Sequence, residues 1–403
     1  MQSDFSRIIR RGTRLIGSGS ANKLVHLDRA RLLEEAERRA ALADFGDRGF
    51  LEPLGRLLDS FENEAGLSLL GRIAARQDIL RLLVNRLQME DDRKRRPEIA
   101  DESIARPLFV TGLPRTGTTL LHGLLAQDPE HRAPLNWEVM FPSPPSARHH
   151  NDRRIELASR QLRWFNRLAP EFRKIHPIGP LLPEECLMIT SPSFVSFQFQ
   201  TSHSVPSYQT WVEAQDLRPS YEMHRRVLQN LQRHGRRGRW VLKAPAHLYG
   251  IDAIRTVYPD AAIVFTHRDL LQVVPSTASL HVELRSIFSD TVDPAAVGAE
   301  VSRRWAVGME RALQARDATP DAASRFYDVQ YADLLRDPIA TVRRLYLHFG
   351  AQLSEPAESR MRSFLARNPK DKHGRHRYSL DQFGLEPDEV LQQYASYRQR
   401  FGV

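Results

Sequence analysis

The chain has 403 residues, enough for one large domain or two smaller ones with a full hydrophobic core. Lysine and arginine total 58 against 49 acidic residues, a formal net charge of +9, and 41% of the residues are apolar, which describes a basic globular chain. The single cysteine, Cys186, excludes an internal disulfide or a multi-cysteine metal centre and fits a reducing, cytoplasmic setting, while no stretch reaches the ~18 apolar residues of a membrane span and no nucleic-acid motif accompanies the cations.

In chain order, Arg7, Arg10, Arg11 and Arg14 among Ile8, Ile9, Leu15 and Ile16 read as an amphipathic arm rather than a secretory signal. From Leu27 to about Glu90, apolar residues at helical spacing (Leu32, Leu33, Ala36, Ala40; Leu54, Leu57, Leu58, Phe61; Ile79, Leu80, Leu82, Leu83) predict three or four helices. Residues 1–100 are thus expected to be a helical region, with the polar stretch Met89–Ala100, containing Pro97, as a connector to an α/β domain over 101–403.

Phe109–Leu121 joins an apolar strand to a glycine-punctuated turn and then to a helix starting at hydroxyl residues. Such a loop binds oxyanions: amides at the helix start converge, the helix dipole adds partial positive charge, and the glycines allow close approach of phosphate or sulfate. A nucleoside-triphosphate loop would read G-x-x-x-x-G-K-[ST]. Here Gly112 and Gly117 have that spacing, but Thr118 stands at the lysine position and the cation is Arg115, inside the loop. That argues against ATP or GTP.

The insertion from Pro134 to about Arg237 is proline-dense and aromatic, a composition expected of a substrate wall and lid. Arg239–Pro245 and Ala261–Arg268 read as strands flanking a helix from about Leu248 to Val257, a βαβ unit that implies a parallel sheet. Arg268 is followed eight residues later by Ser276, on the helix that Asp269–Ala278 should form, so a guanidinium and a hydroxyl can close on one phosphate. Near the C-terminus, Asn368–Tyr378 packs cations around Gly374. His131, His149 and His150 lack zinc-site spacing, and no metal is predicted.

The run L-P-R-T-G-T-T-L-L, the R-x7-S pair after a strand, and the late basic glycine loop occur in the order found in sulfotransferases that use 3′-phosphoadenosine 5′-phosphosulfate (PAPS), and the chain resembles that family over roughly residues 107–385. The resemblance implies a P-loop-like three-layer α/β fold with a central, mostly parallel sheet. It implies a 5′-phosphosulfate site at Arg115, Thr116, Gly117, Thr118 and Thr119, and a 3′-phosphate site at Arg268 and Ser276. Lys370, Gly374, Arg375 and Arg377 would close over the latter, and Tyr331, in a Y-x-D-L-x-x-D-P element, would lie near the adenine. Adenosine 3′,5′-bisphosphate would be the product.

An alcohol acceptor also needs a general base. Glu138, following the loop helix, is favoured; the adjacent Glu184 and Glu185 come next, then His247, downstream of Lys243 in a K-A-P element that resembles the lysine-bearing strand of heparan-type sulfotransferases. The aromatic insertion favours a small, apolar or aromatic hydroxyl acceptor. The alternatives are a P-loop phosphotransferase, which would require the missing lysine, and a catalytically silent nucleotide-binding adaptor.

Overall fold

The computed structural model describes residues 24–144, 152–168, 178–369 and 378–403. The basic candidates Lys370, Gly374, Arg375 and Arg377, the N-terminal arm and the His149–His150 pair therefore lie outside the described residues.

Five parallel strands form the centre: β1 (Leu108–Gly112), β2 (His131–Arg132), β3 (Arg239–Lys243), β4 (Ala262–His267) and β5 (Phe326–Gln330), in the order β2-β3-β1-β4-β5. Side chains alternate across a strand, and each face is apolar, so the sheet needs helices on both sides. Leu108, Val110, Val241, Val264 and Val329 pack on one side against the helices Thr118–Leu125, Pro338–His348 and Glu355–Arg367. Phe109, Trp240, Leu242, Ile263, Phe265 and Phe326 pack on the other, where Arg218–His234, Ile251–Val257, Leu270–Phe288 and Pro294–Asp317 lie. This is the three-layer α/β arrangement.

The described part of the N-terminal segment forms three α-helices, Arg29–Ala40, Leu51–Asn63 and Leu69–Arg95. Their apolar stripes, including Leu32, Leu57, Phe61, Leu80 and Leu83, merge into the same buried cluster as Phe109 and Phe265. The third helix runs through Met89–Arg95, where the polar composition predicted a connector; Met89 and Asp92 are buried there, and Asp91–Arg95 forms an i,i+4 pair on its surface. Burial of one face overrides a charged local sequence. The expected helix from Leu248 divides into a 3₁₀ turn, Pro245–Tyr249, and the helix Ile251–Val257.

Leu270–Phe288 begins at the Asp269 cap and continues ten residues past the expected end at Ala278, with Pro275 in its second turn. Its far end meets the N-terminal helices closely. Ser68 N–H donates to the Phe288 carbonyl at 2.9 Å, and a Cβ on Gly71 would lie 2.0 Å from that oxygen. No described helix is long and apolar enough to cross a membrane. Because the methyl group of Gly71→Ala would collide with backbone, that variant is expected to lose about 1–3 kcal/mol of stability in chemical denaturation; unchanged stability would show that this helix contact is not tight.

Candidate active site

A parallel sheet brings the carboxyl ends of its strands to one edge, where this chain places its chemistry. Gly112 ends β1, Lys243 ends β3, Arg268 follows β4 and Tyr331 follows β5. The loop leaving β1 is held by hydroxyls: Thr116 Oγ1 donates to Leu113 O at 2.6 Å and meets Thr266 Oγ1 at 2.5 Å, and Thr266 reaches Thr111 O at 3.2 Å. Gly112 has φ 139°, and a Cβ there would lie 2.5 Å from the Thr266 carbonyl oxygen. Gly117, at φ 94°, starts the helix Thr118–Leu125 with no side-chain cap, which leaves first-turn amides for a ligand.

The two predicted grips meet. Arg115 Nε donates to Ser276 Oγ at 3.2 Å, and Arg268 Nη1 donates to the Arg115 carbonyl at 2.8 Å while its guanidinium stacks 4.3 Å from the Tyr331 ring centre. Burial, then the neighbouring Arg268 charge, lowers the Arg115 pKa from its ordinary value. Arg115, Gly117, Thr118, Thr119, Arg268 and Tyr331 all line one cleft of about 560 Å³. Thr116 differs: it is fully buried, does not line the cleft, and its hydroxyl is spent on Leu113 and Thr266.

The same cleft contains Glu184, Glu185 and Asn136 beside the loop. Lys243, 2% exposed, pairs with the Glu185 carboxylate and sits 3.5 Å from Thr119 Oγ1. Glu184 accepts from Asn136 Nδ2 at 2.6 Å and from the Glu185 N–H at 2.9 Å, and burial raises its pKa. Beyond this polar end the walls are Met140, Leu162, Phe165, Ile178, Leu187, Met188 and Phe197 from the proline-rich insertion, with Leu280, Leu284, Phe288 and Trp305 opposite.

Two expected bases are not part of this arrangement. Glu138 is 3% exposed and does not line the cleft; one oxygen takes Arg132 Nη2 at 2.9 Å and the other the Leu135 N–H at 2.9 Å, so it caps its own short helix, Asn136–Met140, and neutralises a buried arginine. His247 is buried against Phe109 and bonded through Nδ1 to Tyr221 Oη at 2.7 Å, with its pKa driven well down by burial. The carboxylates that line the cleft beside the loop are Glu184 and Glu185.

The comparisons fit this geometry. A model of the sulfotransferase family matches residues 107–355. The chain belongs to the sulfotransferase family. It is similar to sulfotransferase STF1 from Mycobacterium tuberculosis H37Rv, with 35% identity, 92% of this chain and 98% of the other covered, and a TM-score of 0.77. It is also similar to sulfotransferase STF9 from Mycobacterium avium, with 28% identity, coverage of 93% and 97%, and a TM-score of 0.83. The omega-hydroxy-beta-dihydromenaquinone-9 sulfotransferase Stf3 of Mycobacterium tuberculosis (strain CDC 1551 / Oshkosh) is 28% identical over 73% of this chain and 77% of its own length.

The role of the sulfotransferase's Leu270–Phe288 helix in lining the cleft went unnoticed in the sequence, although Ser276, Leu280, Leu284 and Phe288 recur at i+4. Pairing of Glu185 with Lys243 had no local signal, since Glu185 precedes the helix Cys186–Thr190, 58 residues before Lys243. For Glu138→Gln, leaving Arg132 buried beside a neutral amide is expected to cost about 3–5 kcal/mol of stability, with sulfate-transfer turnover per folded molecule preserved. A loss of turnover of about a hundredfold at unchanged melting temperature would return the base to Glu138.

Proposed function

We propose that this enzyme transfers a sulfuryl group from PAPS to an uncharged hydroxyl on an apolar acceptor. What carries the reading is the convergence of Arg115, the first-turn amides, Arg268 and Ser276 at one end of a cleft whose remaining walls are mostly apolar. Arg268 and Ser276 would hold the 3′-phosphate, Tyr331 would flank the adenine, and Arg115 with the amides of residues 116–119 would hold the 5′-phosphosulfate. Lys370, Gly374, Arg375 and Arg377 are proposed to close over the 3′-phosphate.

Sulfuryl transfer depends chiefly on placement and electrostatics. The acceptor oxygen attacks sulfur as the bond from sulfur to the bridging phosphate oxygen breaks, and charge moves onto the departing phosphate. Arg115 and the loop amides oppose that charge from one side and Lys243, beside Thr119, from another. Glu185 takes the acceptor's proton. It is preferred over Glu184 because both oxygens of Glu184 are already engaged and burial favours its protonated form, which cannot accept a proton.

For the acceptor, the apolar wall supports a hydroxyl on a long hydrocarbon frame. The relative Stf3, whose name specifies an omega-hydroxylated menaquinone derivative, supports the same class. Among the described residues, no charged side chain apart from Asp78 lines the cleft away from the loop and the Glu184–Glu185 pair.

Two measurements test the reading. Arg268→Ala should weaken binding of adenosine 3′,5′-bisphosphate by about 10–100-fold, the worth of a charge-assisted hydrogen bond, in isothermal titration; equal affinity in wild type and variant removes the 3′-phosphate assignment. Glu185→Gln should lower kcat by about 10²–10⁴ while affinity for adenosine 3′,5′-bisphosphate holds. A variant that turns over normally would exclude Glu185 as the base.

A further inference from the structure

The acceptor cleft is not apolar throughout. His281 lines it, five residues after Ser276 on the helix Leu270–Phe288, between Leu280 and Leu284. The residue is 5% exposed, its Nδ1 is buried without a hydrogen-bond partner, and among the described residues neither ring nitrogen makes a hydrogen bond. Gln200, from the helix Gln198–Ser202, also lines the cleft, is 5% exposed, and has a buried Oε1 with no partner.

These two residues are held on adjoining elements. Arg285, one turn beyond His281, donates to the Gln200 carbonyl through Nε at 3.2 Å and Nη2 at 2.9 Å, and its charge is met by Glu300 at 2.8 Å. The protein thus fixes the backbone under Gln200 while leaving the amide and imidazole unused. Buried polar groups are nearly always satisfied; four side chains lining this cleft, Asn136, Gln200, His203 and His281, each carry a buried polar atom without a partner, and the pair on the two packed helices, Gln200 and His281, points to a ligand that completes them.

We propose that His281 and Gln200 form a polar subsite for an uncharged oxygen, a hydroxyl or a carbonyl, carried on the apolar frame of the acceptor. The inference rests on the cleft being the acceptor's, as proposed above. A neutral imidazole supplies one N–H donor and one acceptor; burial, then the Arg285 charge, pushes the His281 pKa down to about 3, so the ring is neutral at physiological pH. A neutral pair satisfies a hydroxyl or carbonyl but does not compensate a desolvated anion. Five residues of helix rise place His281 roughly 8 Å along the helix axis from Ser276.

The test uses a long-chain primary alcohol and two derivatives with a second hydroxyl or a keto group placed at stepped positions along the chain. Affinity is read without donor from tryptophan fluorescence, Trp305 being on the cleft wall, and turnover is read separately with PAPS. Wild type should bind an oxygenated derivative about tenfold more tightly than the plain alcohol, the worth of one well-formed hydrogen bond. His281→Phe should erase that advantage, read as the ratio of the two affinities in the same variant, while binding adenosine 3′,5′-bisphosphate as before, and His281→Gln should restore part of it. Preference for the diol over the ketone, or the reverse, tells whether the ligand donates.

No preference in wild type at any position, or a preference that survives in His281→Phe, overturns the subsite. Preferential binding with no sulfate transfer to any acceptor would keep the subsite and sink the proposed reaction instead.

Discussion

The turn between β1 and its helix is the constraint on which the site depends. It requires left-handed backbone at Gly112, Arg115 and Gly117, with φ of 139°, 68° and 94°, and Thr266 of the neighbouring strand closes around it so tightly that a side chain at Gly112 would strike backbone. The hydroxyls of Thr116 and Thr266 replace the hydrogen bonds that an irregular buried loop would otherwise lack. Gly117 in turn lets the Tyr331 ring lie against the loop, since a Cβ there would fall 2.9 Å from Cδ2. The position of β5 is thereby transmitted to the oxyanion loop.

Positive charge is handled in two ways in this protein. Arg132, Arg285 and Arg316 are held by carboxylates, Glu138, Glu300 and Asp328, which cancel their fields within the fold. Arg268 is held instead by a carbonyl, the Gln272 amide and the Tyr331 ring, contacts that orient a guanidinium without neutralising it. Cations positioned by neutral groups keep their attraction for an incoming anion. The C-terminal helix Ala395–Phe401 and strand β5 reinforce this edge: Tyr397 of the helix and Asp328 of the strand grip the two nitrogens of His267, the residue before Arg268, at 3.1 and 2.9 Å.

Much of this was legible in the chain itself, because oxyanion loops are local. Glycine spacing, the cation between the glycines, and an arginine just after a strand are all fixed within a few residues, and the parallel sheet follows from the βαβ pattern. Placement of the base was not legible. Glu138 and Glu185 look equally polar in one dimension; the first turns inward because Arg132, buried under Trp240, needs a counter-charge, and the second reaches the site because strand β3 delivers Lys243 beside it. The length of the third N-terminal helix was hidden for a related reason, since the burial that sustains Met89–Arg95 is tertiary. The basic stretch at 370–377 lies outside the described residues, so its role continues to rest on resemblance.

The helix Leu270–Phe288 carries Ser276 at one end and, at the other, the Phe288 carbonyl that receives Ser68 from the N-terminal segment. One helix therefore joins the neighbourhood of Arg115 to the N-terminal helices. Ala74 and Asp78 of those helices reach the cleft wall themselves. Substitutions at Ala74 and Asp78 can therefore alter the cleft wall without touching Arg115, Ser276 or Arg268.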